Sequence, residues 1–174
     1  MPFQTQVLTQ PAPAVAGDFA THNPVATFPA AEGALVAASG GCTVGAFGWV
    51  QPDGTTVANM PPTSTATAPD GFVHRNLTGQ ISSFGTEGSL VIPQGFPVTL
   101  FSAGDFWATT STAATPGQAV VACVTPEAIA TAAAGERVAG AVRSRFVVAS
   151  SDGKDDIVEP STWKSAQCAA TTQR

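Results

Sequence analysis

The sequence predicts an all-β fold, a sandwich or small barrel preceded by an extended N-terminal arm and holding at most one short helix. Three observations carry that expectation. Charged residues make up 11% of the chain, against about 25% in an ordinary globular domain, so there is little of the Glu, Lys and Arg from which long surface helices are built. The chain holds 17 glycines and 14 prolines, which interrupt it with turns. Between those turns lie short apolar runs rich in Val, Ala and Phe, spaced as in sandwiches and barrels of eight to ten short strands.

In chain order, residues 1–30 hold five prolines and one charge, Asp18. Proline fixes φ and restricts its predecessor, so this segment is predicted to be extended and not helical. Phe3, Val7, Leu8, Val15 and Phe19 give it spaced apolar side chains, the pattern of a strand that adds to a neighbour's sheet edge. The β domain is expected over residues 31–160 and a polar tail over 161–174. In residues 33–50, Ser39-Gly40-Gly41 marks a turn, and Val44, Ala46, Gly48 and Val50 alternate with Gly45, Phe47 and Trp49. Small residues and aromatics thereby fall on opposite faces of one strand. Pro52-Asp53-Gly54 and Pro69-Asp70-Gly71 are tight turns, and the Thr/Pro/Ser-rich stretch 55–68 between them reads as a surface loop.

Phe72 and Val73 continue the strand pattern, and Ile81 and Phe84 carry it on. Residues 89–108, SLVIPQGFPVTLFSAGDFWA, are the densest aromatic stretch and read as core. The run Leu90, Val91, Ile92 is one strand and residues 98–101 another, joined by Pro93-Gln94-Gly95, where Gly95 can take a positive φ. Val98 and Leu100 then face one side, Thr99 and Phe101 the other. Residues 118–124 form a further apolar run. Residues 125–135 leave helix and hairpin open: Thr125 could cap, Pro126 suits a first helical position and Gly135 could terminate. Ten residues of helix are marginal without packing. Residues 138–150 read as strand, Ser151-Asp152-Gly153-Lys154 as a turn, and Ile157-Val158 as the start of a last strand.

The net charge of −5, with no basic residue before Arg75 and no Lys/Arg cluster, argues against nucleic acid and against an anionic membrane surface as partners. The first residues lack a basic region and an apolar run, so no secretory leader is expected. No stretch approaches 18 apolar residues. Cys42, Cys123 and Cys168 are odd in number and far apart, which fits a reducing cytoplasm, with Cys42 and Cys123 as small buried hydrophobes.

Chemistry-bearing residues are few, and no catalytic residue, cofactor or metal site is expected. His74 beside Arg75 could in principle join a serine and Asp105, but there is no Gly-x-Ser-x-Gly elbow, and His22 lies in the arm. Neither Cys-x-x-Cys nor His-x-x-x-His is present. Asp152, Asp155 and Asp156 loosely suggest a calcium loop, yet its bidentate Glu is missing and Lys154 intrudes. There is no phosphate loop. An apolar arm, few charges and many short strands describe a chain built for contact.

Several stretches, taken in order, resemble the capsid cement or decoration proteins of tailed bacteriophages. They are QPAPAVAGDFATHNP, CTVGAFGWVQPDG, GFVHR, IPQGFPVTL with GDFW, PGQAVVACV and, more weakly, RSRFVVASSDGKDDIVEPSTW. The resemblance implies a jelly-roll-like or barrel domain without enzymatic activity. It implies a virion protein, assembled in the bacterial cytoplasm, that binds the outer face of the capsid and bridges neighbouring major capsid subunits. Other copies of itself, as a dimer or trimer, are the second expected partner. Contact with the capsid or a neighbour is then expected through Phe3, Val7, Leu8, Val15 and Phe19, with Asp18 and Arg75 as polar anchors. The segment 125–135 is richer in alanine than the hairpin expected there, and the tail KSAQCAATTQR is an extension. The alternative is a carbohydrate- or receptor-binding β module of a tail or fibre, stacking sugars on Trp49, Trp107 or Trp163.

Overall fold

The computed structural model describes residues 14–30, 34–62, 67–75, 90–124, 128–133 and 136–164. Among them are fourteen short strands and no helix. They are β1 (Ala26–Thr27), β2 (Val36–Ala37), β3 (Cys42–Thr43), β4 (Phe47–Val50), β5 (Thr56–Ala58), β6 (Gly71–Val73) and β7 (Val91–Ile92). The chain continues with β8 (Leu100–Ala103), β9 (Ala108–Thr109), β10 (Ala119–Cys123), β11 (Ile129–Ala132), β12 (Ala141–Val148), β13 (Ile157–Val158) and β14 (Pro160–Ser161). The count exceeds the eight to ten expected because several elements are only two residues long.

A six-stranded sheet runs in the order β1-β8-β6-β4-β5-β2 and a four-stranded sheet in the order β11-β10-β12-β14. Two further pairs, β13 with β9 and β3 with β7, complete the fold. The β2–β5 pair is parallel and the others are antiparallel. The principal core joins the two large sheets face to face. Phe47, Trp49, Phe72 and Phe101 come from the first, and Val120, Ala122, Ile129, Phe146 and Val148 from the second, with Phe106 wholly buried among them. Its rings are in mutual contact: Phe72 stacks on Phe106 at 4.6 Å and meets Phe47 edge-on at 5.8 Å.

Strand alternation puts a second core on the other face of the six-stranded sheet. Val73 follows Phe72, and Leu100 precedes Phe101. Both join Leu35, Cys42, Val57, Ile92 and Val98. This is the two-sided arrangement that 44–50 and 98–101 predict, and it explains the small residue in the middle of β4. A Cβ on Gly48 would meet Leu100 Cδ2 at 2.8 Å and Val57 Cγ1 at 3.0 Å, side chains of other strands in the same sheet that fill the space above the glycine.

The turns follow the chemistry read from the sequence. Asp53 Oδ1 accepts from the amides of Thr55 at 2.9 Å and Thr56 at 2.8 Å, and these bonds pull its carboxyl below the usual range. Asp70 Oδ2 accepts from the Val50 amide at 2.8 Å. Gly95 has φ +78°, and its amide donates to Ala37 O at 3.0 Å.

Two expectations are corrected. The stretch 55–68 is not simply a surface loop: β5 pairs with β4, with Val57 fully buried, and buried Asn59 bonds to Thr43 and Phe47 backbone groups. A lone Val among Thr residues carries too weak a pattern to show this. The two strands read in 89–108 are both present, and each takes a distant partner: β7 pairs with β3, and β8 lies between β1 and β6. The helix alternative for 125–135 is settled against for its described part, which is β11. Its strand pairs with β10 along four registers, and Thr131 is fixed by its amide to Thr112 Oγ1 and its hydroxyl to Ala113 O, each at 2.9 Å. Tertiary packing outweighs the helix propensity of alanine. Ile81 and Phe84 lie outside the described residues.

Candidate functional site

Of the expected contact residues, Phe3, Val7 and Leu8 lie outside the described residues, while Val15, Asp18 and Phe19 lie on one segment against which Arg75 is held. The segment from residue 14 onward runs along its own domain. The Gly17 amide donates to Trp107 O at 2.7 Å, the Arg75 amide to Gly17 O at 2.9 Å, the Trp107 amide to Asp18 O at 2.9 Å and the Ala20 amide to Asp105 O at 2.9 Å. Further on, β1 pairs with β8. This ladder satisfies the backbone of a segment with no sheet of its own.

Side chains fix the same strap. Asp105 is buried at 3% exposure, and its Oδ2 accepts from Thr21 Oγ1 and Asn23 Nδ2, both at 2.6 Å. Arg75 Nη1 lies 3.2 Å from Asp18 Oδ2, with both side chains partly exposed. The Phe19 ring stacks on His74 at 4.2 Å and meets Phe101 and Phe106 at 5.3 and 5.4 Å, yet remains 40% exposed. Val15 is 43% exposed and Val25 45%. Trp163, at 56% exposure, donates its Nε1 proton to Pro24 O at 3.1 Å. Sequence reasoning missed Thr21, Asn23, Val25 and the way Trp163 meets the strap. The available signal was Asp105, a lone carboxylate in an apolar stretch that needed partners from elsewhere.

His74 is half-buried, and burial holds its imidazole below the ordinary value of 6.5; Asp18 offsets this in part, and Arg75 pushes in the same direction as burial. The unfolded chain therefore takes up this proton at higher pH than the folded one. The contribution is fully present above pH 6.5 and declines as pH falls through that value toward the folded one. A His74→Gln variant is expected to lose that part of the pH dependence. Denaturant unfolding of both proteins at about pH 7.5 and about pH 5.5 checks it.

The surroundings of His74 are rings and the Asp18–Arg75 pair, whereas the Asp105 carboxylate is engaged by Thr21 and Asn23. In the 150–156 turn, Asp152 accepts from Ser150 Oγ and Asp156 Oδ2 from the Gly153 amide at 3.2 Å. Among the described residues no group of three His, Cys, Asp or Glu is placed to hold a metal ion. A cleft of about 300 Å³ between Ala16, Val44, Leu90, Thr110, Ile129 and Asp155 offers one carboxylate and otherwise apolar and hydroxyl groups. Cys42 is fully buried, and Cys123 is half-buried with its thiol pushed up by burial.

The family model described as XM1 gp53 minor capsid protein matches residues 3–162. The chain belongs to that family. A chain in the solved capsid of Myoviridae phage XM1 is similar in fold, with a TM-score of 0.60 and 19% identity over 93% of this chain and 98% of that one. No curated protein matches this chain in sequence. The resemblance to phage capsid proteins is thereby confirmed at the level of family: this minor capsid protein is a structural component of a phage head and belongs to the virion. The exposed side chains of the strap, Val15, Phe19 and Val25, with Trp163 held to Pro24 and the Asp18–Arg75 pair, make up its candidate contact surface.

Proposed function

We propose that this minor capsid protein is a cement protein, binding the outer surface of the assembled head and bridging neighbouring major capsid subunits. The observation that carries this reading is the row of half-exposed apolar side chains, Val15, Phe19 and Val25 with Trp163 beside them, along a strap rigidly pinned to the domain. Exposed apolar side chains grouped on a weakly charged chain mark a surface that a partner covers. Pinning matters because a preorganised surface loses little conformational freedom on docking. Asp18 and Arg75 pair with each other across the strap and keep enough exposure to anchor a partner's polar groups as well.

A protein that binds the shell but not its dissociated subunits stabilises the shell, by an amount that grows logarithmically with its free concentration over Kd. Presenting several footprints at once, as a dimer or trimer or with residues 1–13 reaching a neighbour, raises that gain through effective concentration. Heads stripped of the protein are expected to fall apart at lower temperature and on milder dilution than complete heads, and adding it back should restore them. Stripped heads as durable as complete ones would refute the cementing role. Copy number separates the readings further: cement occurs in numbers comparable with the major capsid protein, a tail or fibre component in a handful. The second reading, a sugar-binding module, draws support from Trp163, whose exposed indole could stack on a sugar face; Trp49 is buried in the core and supplies no platform.

A further inference from the structure

At eight residues β12 is the longest strand, and its neighbours cover it unevenly. On one side β10 pairs with it from Ala141 to Val147. On the other, β14 pairs with Val147 and Val148 and no further. Residues 141–145 thus present an edge with no partner strand among the described residues. Arg143 and Arg145 are exposed there, while Ser144 and Phe146 are buried. The bulge between Arg143 and Val147 sets this up: Ser144 Oγ donates to Val120 O at 2.7 Å and accepts from the Phe146 amide at 3.1 Å, seating Phe146 in the core. The ion pairs among the described residues are Asp18 with Arg75 and Lys154 with Asp155, so neither guanidinium is paired with a carboxylate of the described residues. Arg137, also exposed, lies just before the strand. In a chain with seven basic residues and a net charge of −5, three of the seven fall in residues 137–145.

We propose that this edge is an interaction surface for an acidic extended segment of the capsid shell, which adds beside residues 141–145 with Asp or Glu at alternate positions. Side chains two apart on a strand share a face at about 6.5 Å spacing, so alternate carboxylates meet alternate arginines, each guanidinium presenting a planar fork to its carboxylate. Backbone hydrogen bonds along the open edge supply affinity and the arginines supply selectivity. A second copy of this strand fits poorly, because pairing about a two-fold axis sets the arginines against their own copies, and like charges directly opposite repel. Arginine on an edge deters indiscriminate strand pairing, and a carboxylate-bearing strand is the kind it admits.

The proposal rests on the reading that the protein binds the assembled head, and the experiment separates the two. Heads lacking the protein are mixed with the full chain, with R143E/R145E, or with K154E as a charge-reversal control elsewhere on the surface, and bound protein is measured across a salt series. Failure of the unaltered chain to bind heads would count against the cement reading itself. If it binds, R143E/R145E is expected to bind at least about tenfold more weakly, with K154E close to unaltered and the unfolding midpoint of R143E/R145E unchanged. The amides of 142–145 that face the open edge should also gain protection from hydrogen exchange in the head-bound protein. Equal binding by R143E/R145E overturns the proposal, as do amides that exchange equally fast on and off the head. Sedimentation that shows the unaltered chain self-associating and R143E/R145E monomeric would assign the edge to a second copy and overturn it too.

Discussion

Replacing Phe72 with alanine is expected to destabilise the domain by about 3–5 kcal/mol. Phe72 is fully buried and stands where the two large sheets meet. It stacks on Phe106 at 4.6 Å, meets Phe47 edge-on at 5.8 Å and lies 6.4 Å from Phe146. Removing the ring forfeits the transfer energy of a buried aromatic and leaves a void that the surrounding rings can close only in part. Its strand neighbours are held by the β4–β6 and β6–β8 ladders, so the backbone cannot collapse inward to fill the space. The measurement is the denaturant midpoint at unchanged m-value. Phe96→Ala, at an exposed position, serves as the comparison and should lower the stability by no more than about 0.5 kcal/mol. Equal effects at the two positions would contradict the buried aromatic layer.

The second large effect concerns the N-terminal segment. A chain lacking residues 1–13 is expected to keep the stability of the full chain, while its occupancy on heads falls. A chain lacking residues 1–20 is expected to lose stability as well. The difference lies in the strap: Gly17, Asp18 and Ala20 make four backbone hydrogen bonds to Trp107, Arg75 and Asp105, and Phe19 packs against His74, Phe101 and Phe106. At about 1 kcal/mol for each net hydrogen bond, plus the burial of Phe19, the longer cut removes several kcal/mol. Thermal unfolding of the two shortened chains reads the stability difference, and bound copies per head read the function. Full occupancy by the chain lacking residues 1–13 would remove Phe3, Val7 and Leu8 from the contact surface and leave that role to Val15 and Phe19.

Much of the architecture is legible locally. The alternation of small and aromatic residues in 44–50 identified a strand with two different faces, and the structure fills those faces with two separate cores. The Pro52-Asp53-Gly54 turn could be read because a single aspartate side chain satisfies nearby backbone amides, a purely local event, whereas Asp70 reaches the Val50 amide twenty residues away. The contact surface was legible only in part. Phe19 and Val15 stood out as apolar residues in a proline-rich segment. Thr21 and Asn23 did not, because their partner Asp105 lies more than eighty residues away.

The sequence alone determined the fold class and the family. Few charges, frequent Gly and Pro, and alternating apolar runs exclude a helical domain, and ordered motifs along most of the chain place it among phage capsid proteins. Only the tertiary structure decided which strands pair. That β7 takes β3 and β8 takes β6 and β1, that an alanine-rich segment becomes β11, and that β14 pairs with only the last two residues of β12 are all choices between distant partners. The physical reason is that a strand's hydrogen-bonding groups are identical in every residue but proline. Its neighbour is therefore chosen by which side chains the whole fold can bury together, and no short stretch of sequence carries that information.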